Sequence, residues 1–569
     1  MVGNAEAVAR PRPVLLPRVE RLAPRLGLLL FVAALGYLTV VPLVRLQILA
    51  FEHGARAYDT AFSRSSIWES VLTTVELALG SLAIALVLGT ALAWAASTLP
   101  PRLRLLRILP ILPIVVPAVA SVLGWSFLFS PGPGYLNALL RHLPWWSDRL
   151  EGPVDIYTVP WIVIITGLGL TAFVYLFVSA GFEGINAELL ESAQVAGSSS
   201  TGVFFRVTLP LLRPSLVYGS GVALLLGLGQ FTAPLLLGSN RNISVLTTDM
   251  YRATQQSPPQ YDIAAAVGSP LLLFGIAVLI FNKVSLGNQS RFVTHGGKGF
   301  RPITRGSKLG ASALVLYGIV ATLLPIIGLV LVGLSRFWSG DIDVGQFTLA
   351  NFDTIIHDKA IVAGIRTSVV TSLIAVAITM PLGYACASVL RNGHKHRILG
   401  PILDVIVAMP LSIPAVIFGV GFLLTYTSRP FVLYGTKWVM ILVYVTIMLP
   451  FATRMQLAGM ISLGDAYREA SRVSGAGVVR TNLVVIAPLM RATFGGAAAL
   501  MFILLANEFA ASLLVRASTV QVMGTVLYDY YGSGLYPQVA CLALVMIGVT
   551  GAGVLVAIAV SGSDIFRKL

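Results

Sequence analysis

Apolar positions along this chain come in long unbroken blocks, not at the alternating spacing of a strand. Twelve blocks run at about 27–47, 69–97, 106–129, 158–182, 212–238, 262–282, 309–334, 364–390, 400–426, 437–460, 492–516 and 538–560. A helix needs ~20 apolar residues to cross the hydrocarbon core of a bilayer. The pattern therefore predicts an all-α membrane protein with about twelve transmembrane helices. Between the blocks, two polar stretches rich in small residues match each other. Glu191–Pro210 (ESAQVAGSSSTGVFFRVTLP) returns 278 residues later as Glu469–Pro488 (EASRVSGAGVVRTNLVVIAP).

The repeat extends well beyond these stretches. Thr73, Thr74 and Gly89 match Thr367, Ser368 and Gly383, and Pro113 and Pro117 match Pro410 and Pro414. Gln230-Phe231 matches Glu508-Phe509 at the same 278 spacing. The chain thus divides into a tail at 1–26, a first half at 27–282, a basic linker at 283–308 and a second half at 309–569. Six spans per half is an even number, so the copies enter the membrane in the same orientation. Parallel repeats of this kind place a natural pathway in the cleft between them.

Composition agrees. Hydrophobic residues make up 56% of the chain and charged residues 11%, with a mean hydropathy of +0.85. The net charge of +15 is not gathered on one face or tail, which argues against nucleic acid as a partner. With the N-terminus inside, inner segments and the block ends adjoining them hold 25 of the 39 Lys and Arg residues and outer ones 11, with Arg45, Arg366 and Arg454 within or at the ends of spans. That bias is what positive-inside topology requires. It puts both matched stretches, and both termini, in the cytoplasm, with the first span uncleaved and the linker near lipid headgroups. Cys386 and Cys541 lie inside apolar blocks and read as core residues; neither a metal-ligand spacing nor a catalytic constellation is visible.

Each candidate residue has a plain alternative. In the matched stretches, a short helix is expected to stop at Gly197 and at Gly475, where glycine accepts positive φ. Pro210 and Pro488 then stand where the chain re-enters the membrane. Two ordinary connecting loops made alike by duplication would look similar. Gln230 and Glu508, with Phe231, Asn507 and Phe509 beside them, are polar groups at membrane depth, which face the bundle interior or a water-filled cavity. They line a pore or gate, or they hold the bundle by an interhelical hydrogen bond. Pro117 and Pro414 bend their helices, to shape a cavity or simply to pack.

Both stretches resemble the coupling loop of ABC importer permeases, Glu-Ala-Ala, three residues, Gly, then a hydrophobic residue and Leu-Pro. The matching residues are Glu191, Ser192, Ala193, Gly197 and Pro210, then Glu469, Ala470, Ser471, Gly475 and Pro488. The departures, Ser192, Ser471 and Ala487, are small-for-small or apolar-for-apolar. The resemblance implies the type I importer permease fold and a fused, two-half permease subunit in the plasma membrane of a prokaryote. It implies two cytoplasmic ATPase subunits, gripped through the loops, and an extracytoplasmic substrate-binding protein. ATP and magnesium would sit on the ATPases, and this chain itself would bind no cofactor and catalyse nothing. No phosphate-cradling Gly-x-x-x-x-Gly-Lys-Ser/Thr loop is present, in agreement. The Pro-Ala-Val and Glu-Phe patterns are similar to those of ferric iron, thiamine, polyamine and phosphonate importers, with ferric iron placed first. The rival class is an ion-driven secondary transporter, which has no need of matched cytoplasmic loops.

Overall fold

The computed structural model describes residues 18–148, 150–286, 308–392 and 397–561. Most of the tail and of the basic linker lie outside these residues. Eight helices are long and apolar enough to cross a membrane, and four further helix pairs do so as bent units, so the twelve crossings appear only when each bent pair counts once.

In the first half, α1 (Arg18–Phe51), α2 (Ser65–Ser97), α4 (Val159–Glu183) and α8 (Tyr261–Leu286) are long helices. Between them stand α3 (Ala118–Phe129), the short α5 (Ala187–Val195), α6 (Arg213–Leu228) and α7 (Leu246–Gln255). The second half repeats the series. It runs α9 (Lys308–Leu334), α10 (Lys359–Arg391), α11 (Leu399–Ser412), α12 (Ala415–Tyr426), α13 (Lys437–Leu463), α14 (Ala466–Val473) and α15 (Arg491–Ala506). It ends with α16 (Ala510–Val515), α17 (Met523–Gly532) and α18 (Tyr536–Ser561).

Prolines explain two of the bends. Pro117 and Pro414 precede α3 and α12, and the chain turns there by 93° and 110°. Proline cannot donate to the preceding turn and disfavours helix in the residue before it, so a helix arriving at such a site stops and a new one starts. The blocks at 106–129 and 400–426 are therefore broken units, not continuous spans. The fifth and eleventh crossings are also bent: Thr201–Leu211 meets α6 at 67°, and Val478–Leu489 meets α15 at 74°. Gln230 and Glu508, expected within spans, lie in the non-helical breaks just beyond α6 and α15.

The halves are interleaved. α1 packs on α12 of the second half, and α9 packs on α3 of the first. Glycine makes this exchange possible: a Cβ at Gly124 would overlap the Pro325 carbonyl oxygen, and one at Gly421 would stand 2.9 Å from that of Pro42. In a bilayer such close backbone approach, not hydrophobic exclusion, drives helix association. A single buried cluster consequently draws on both halves, including Leu123, Phe231, Val332, Phe418 and Phe509.

Candidate functional site

Near the pseudo-twofold axis, four aromatic rings close on one another in symmetric pairs. Phe231 and Phe509, from equivalent breaks, have ring centroids 5.8 Å apart. Tyr251 of α7 packs edge-on to Phe231 at 5.7 Å, and Tyr528 of α17 tilts against Phe509 at 5.9 Å. The two tyrosines are themselves 6.4 Å apart. Their helices are held alike: the Leu246 N–H donates to Thr74 Oγ1 (3.0 Å), and the Met523 N–H to Ser368 Oγ (2.8 Å). The matched Thr and Ser noted in the sequence are thus the hooks that fix α7 and α17. The tyrosines escaped the sequence reading, although a repeat of Val-x-x-Thr-x-x-Tyr at 245–251 and 522–528 marks them.

Beside the aromatic cluster lies a cavity of about 360 Å³ lined by Pro117, Trp125, Thr166, Gln230, Phe231 and Asn507, among others. The side-chain oxygen of Gln230 accepts from Thr166 Oγ1 at 2.8 Å, and its main-chain oxygen accepts from Thr247 Oγ1 at 2.6 Å. Its Nε2 is buried with no partner. Asn507 Oδ1 accepts from Thr550 Oγ1 at 3.1 Å. Pro414 packs on Gly229, one residue from Gln230.

Glu508 is placed differently. Its carboxylate accepts from the N–H groups of Ala511 and Ser512 at 2.9 Å each and from Ser512 Oγ at 2.6 Å. Ser512 Oγ also meets Tyr444 Oη at 2.8 Å. Glu508 therefore caps α16, satisfying orphan donors of a helix start, and does not line the cavity. Of the polar residues that the sequence places at membrane depth, Gln230 and Asn507 stand on the cavity wall. Among the described residues, no group of three or more His, Cys, Asp or Glu side chains could hold a metal ion.

At one end of the bundle the matched stretches follow one backbone path. α5 stops in a turn where Gly197 has φ +88°, and α14 where Gly475 has φ +82°. The Ser198 N–H donates to the Ala193 carbonyl, and the Ala476 N–H to that of Ser471, at 3.1 Å in both. This is the six-to-one closure of a Schellman motif, which calls for glycine at the left-handed position. Each then enters a π-helical turn, Phe204–Thr208 or Thr481–Ile486, just before Pro210 or Pro488. The acidic and small residues Glu191, Ser192, Glu469 and Ala470 are exposed, while Ala193 and Ser471 are half-buried. Apolar side chains also point outward at equivalent places: Leu189 and Tyr467 are 39% and 51% exposed, and Val195 and Val473 are both 90% exposed. Matched apolar groups in solvent mark a contact surface; sequence reasoning passed over these four because it weighed only the small residues.

The apolar helices and the paired loops define a helical membrane protein built from two interleaved repeats. Residues 81–293 match the family "Binding-protein-dependent transport system inner membrane component". A probable ABC transporter permease protein, y4fN of Sinorhizobium fredii, is 25% identical over 84% of this chain and 85% of its own length. The putative ferric transport system permease protein FbpB 1 of Haemophilus influenzae is 24% identical over 58% of this chain. That alignment spans 52% of the Haemophilus protein, about half its length. The spermidine/putrescine transport system permease protein PotB of Escherichia coli is 28% identical over 38% of this chain and 78% of its own length. A solved bacterial alginate ABC transporter, in complex with an alginate-bound periplasmic protein, aligns with a TM-score of 0.39 and 21% identity over 48% of this chain and 98% of its own. The first half thus carries this family's domain, and the relative that aligns over 84% of the chain is an ABC transporter permease; these homologues are transport subunits and not enzymes.

Proposed function

We propose that this chain forms the translocation pathway of an ATP-driven importer and couples it, through its two loops, to two separate ATPase subunits. The observation that carries the reading is the matched pair of turns at Gly197 and Gly475, each presenting outward apolar residues at equivalent positions. ATP and magnesium belong to the ATPases, which close and reopen beneath the loops. The loops face the cytoplasm, and a separate binding protein delivers solute at the opposite face. The rings of Phe231, Phe509, Tyr251 and Tyr528 form the closed gate, and Gln230 and Asn507 offer passing solute amide groups in place of water.

Ferric iron is the solute we place first, supported by the ferric permeases among the relatives at 24% and 23% identity. Iron selection then rests with the binding protein and not with ligands in the pathway. Polyamine is the second reading, favoured by the aromatic cluster, since ring faces attract organic cations within ~6 Å. The test uses membrane vesicles holding the whole importer and its binding protein, with labelled ferric iron and labelled spermidine in parallel. ATP-dependent iron uptake that is lost in the Gly197→Val, Gly475→Val double variant, together with ATPase retention, supports the reading. Undiminished ATPase binding and uptake in that variant contradicts coupling, and uptake of spermidine alone replaces the solute.

A further inference from the structure

The two loops are fastened by different chemistry on their membrane-facing side. In α5 that side carries Leu190, 2% exposed in an apolar cluster with Val203 and Phe182. The equivalent residue of α14, 278 positions on, is Arg468. Its guanidinium is half-buried, within electrostatic reach of Tyr384 and Arg391 of α10. Arg468 Nε and Nη2 are buried and have no hydrogen-bond partner. Those two atoms form one edge of the guanidinium, the edge that matches a pair of anionic oxygens bidentately. Leaving buried charged donors unmet is costly, more so than losing an ordinary hydrogen bond.

The nearby acid is already engaged. Asp465 Oδ1 accepts from Arg391 at 2.5 Å, and Arg391 also donates to the Gly464 carbonyl at 2.8 Å. Burial first, and the neighbouring Arg391 charge second, push the Arg468 guanidinium below its usual range. A bound anion would relieve both penalties. Depth points to the kind of anion. α10 has 33 residues, about 50 Å at ~1.5 Å per residue, so its ends overreach a hydrocarbon core of ~30 Å. With the helix spanning that core, Arg391, its last residue, has the length to reach the headgroup region. The surface of α14 that carries Tyr467 and Val473 is turned outward instead, away from Arg468.

We infer that Arg468, with Arg391 behind it, forms a phosphate-binding site between α10 and α14 that the first half lacks. The phosphate comes from an anionic lipid headgroup or from solution. Occupying it would tie the second loop to the membrane end of α10, as Leu190 ties the first loop by packing. The site is independent of the solute carried.

The experiment uses the full chain in nanodiscs of phosphatidylcholine with and without phosphatidylglycerol, followed by native mass spectrometry of retained lipid. A parallel arm titrates inorganic phosphate in detergent and follows thermal unfolding. Arg468→Leu installs the residue that the first half already tolerates, and Arg468→Lys keeps the charge without the fork. The expected result is at least about tenfold weaker retention of phosphatidylglycerol in Arg468→Leu and intermediate retention in Arg468→Lys, the cost of a lost bidentate bond. Stabilisation of the wild type by inorganic phosphate, absent in Arg468→Leu, assigns the site to free phosphate; dependence on phosphatidylglycerol alone assigns it to the headgroup. Equal lipid retention and equal phosphate response in all three proteins would overturn the proposal. So would an Arg468→Leu chain that keeps its lipid but loses its ATPase subunits, which would give the edge to a partner carboxylate.

Discussion

The two loops share a backbone and differ in how they are held. α5 buries Ala187 and Leu190 and starts from Asn186, whose side chain accepts from the Glu188 N–H. α14 buries no residue and starts from Asp465 without a side-chain cap. Where the first loop packs Ala193 in the cluster of Val203, the second joins Ser471 Oγ to Thr481 Oγ1 at 3.0 Å. One loop is fastened by apolar burial, the other by hydroxyls and the Arg391–Asp465 ion pair. Duplication thus preserved the turn and let the fastening diverge. Apolar burial has no charge to screen, whereas an exposed ion pair weakens as salt rises. Under the proposed coupling, the first loop would be the rigid connection and the second the adjustable one.

The largest effect that would break this comparison is Leu190→Ala. Removing a side chain buried to 2% exposure should cost about 2–5 kcal/mol of local stability, read as faster hydrogen exchange across α5. The equivalent change at Arg468 should leave exchange across α5 untouched. Next come the turns: a β-branched side chain at Gly197 or Gly475 is held at positive φ, at roughly 1–2 kcal/mol each. Because the φ values nearly match, the two single variants should lose similar fractions of bound ATPase in co-purification. Ser471→Ala should cost about 1 kcal/mol and loosen α14 alone. High salt should do the same more weakly: the Arg391–Asp465 pair, with Asp465 70% exposed, contributes within the ~0–1 kcal/mol of surface pairs.

A comparably small effect lies at the opposite end of the bundle, where the same inequality recurs. Arg64 precedes α2 with no side-chain cap, and its equivalent Asp358 accepts from the Ala360 and Ile361 N–H groups to cap α10. The Tyr530 hydroxyl, followed by those backbone donors, holds the Asp358 carboxyl below its ordinary 3.8. Its folded pKa is depressed, so its contribution is complete above 3.8 and fades as pH falls through the folded value. Asp358→Asn keeps a capping oxygen but removes the charge at the helix start, so it should lower the unfolding midpoint at neutral pH by the equivalent of about 0.3–1 kcal/mol, and the gap to wild type should close in strong acid.

Much of this was legible in the sequence, for reasons that particular residues make plain. Block length reports apolar surface, so the number of crossings emerged, but hydropathy is blind to direction and the four bends did not. Pro117 and Pro414 were the visible sign of two of them. Gly197 and Gly475 were legible because a left-handed turn leaves glycine little competition. Glu508 was open between a gate and a contact holding the bundle, because an ionisable group at membrane depth fits either; its partners are the N–H groups three and four residues on. Ser512 in that short spacing is the hint of a cap. Arg468 was invisible as a site because its meaning lies in the comparison with Leu190, and only the fold shows both facing inward.

The central claim is that both loops grip an ATPase at once. Cysteines placed one at a time at Val195 and Val473, in the whole importer, test it most directly, since the native Cys386 and Cys541 are buried and should stay silent. The account predicts that each cysteine cross-links to an ATPase subunit, and that one permease chain bearing both captures two. A chain that captures none, or only one with both cysteines present, would contradict it.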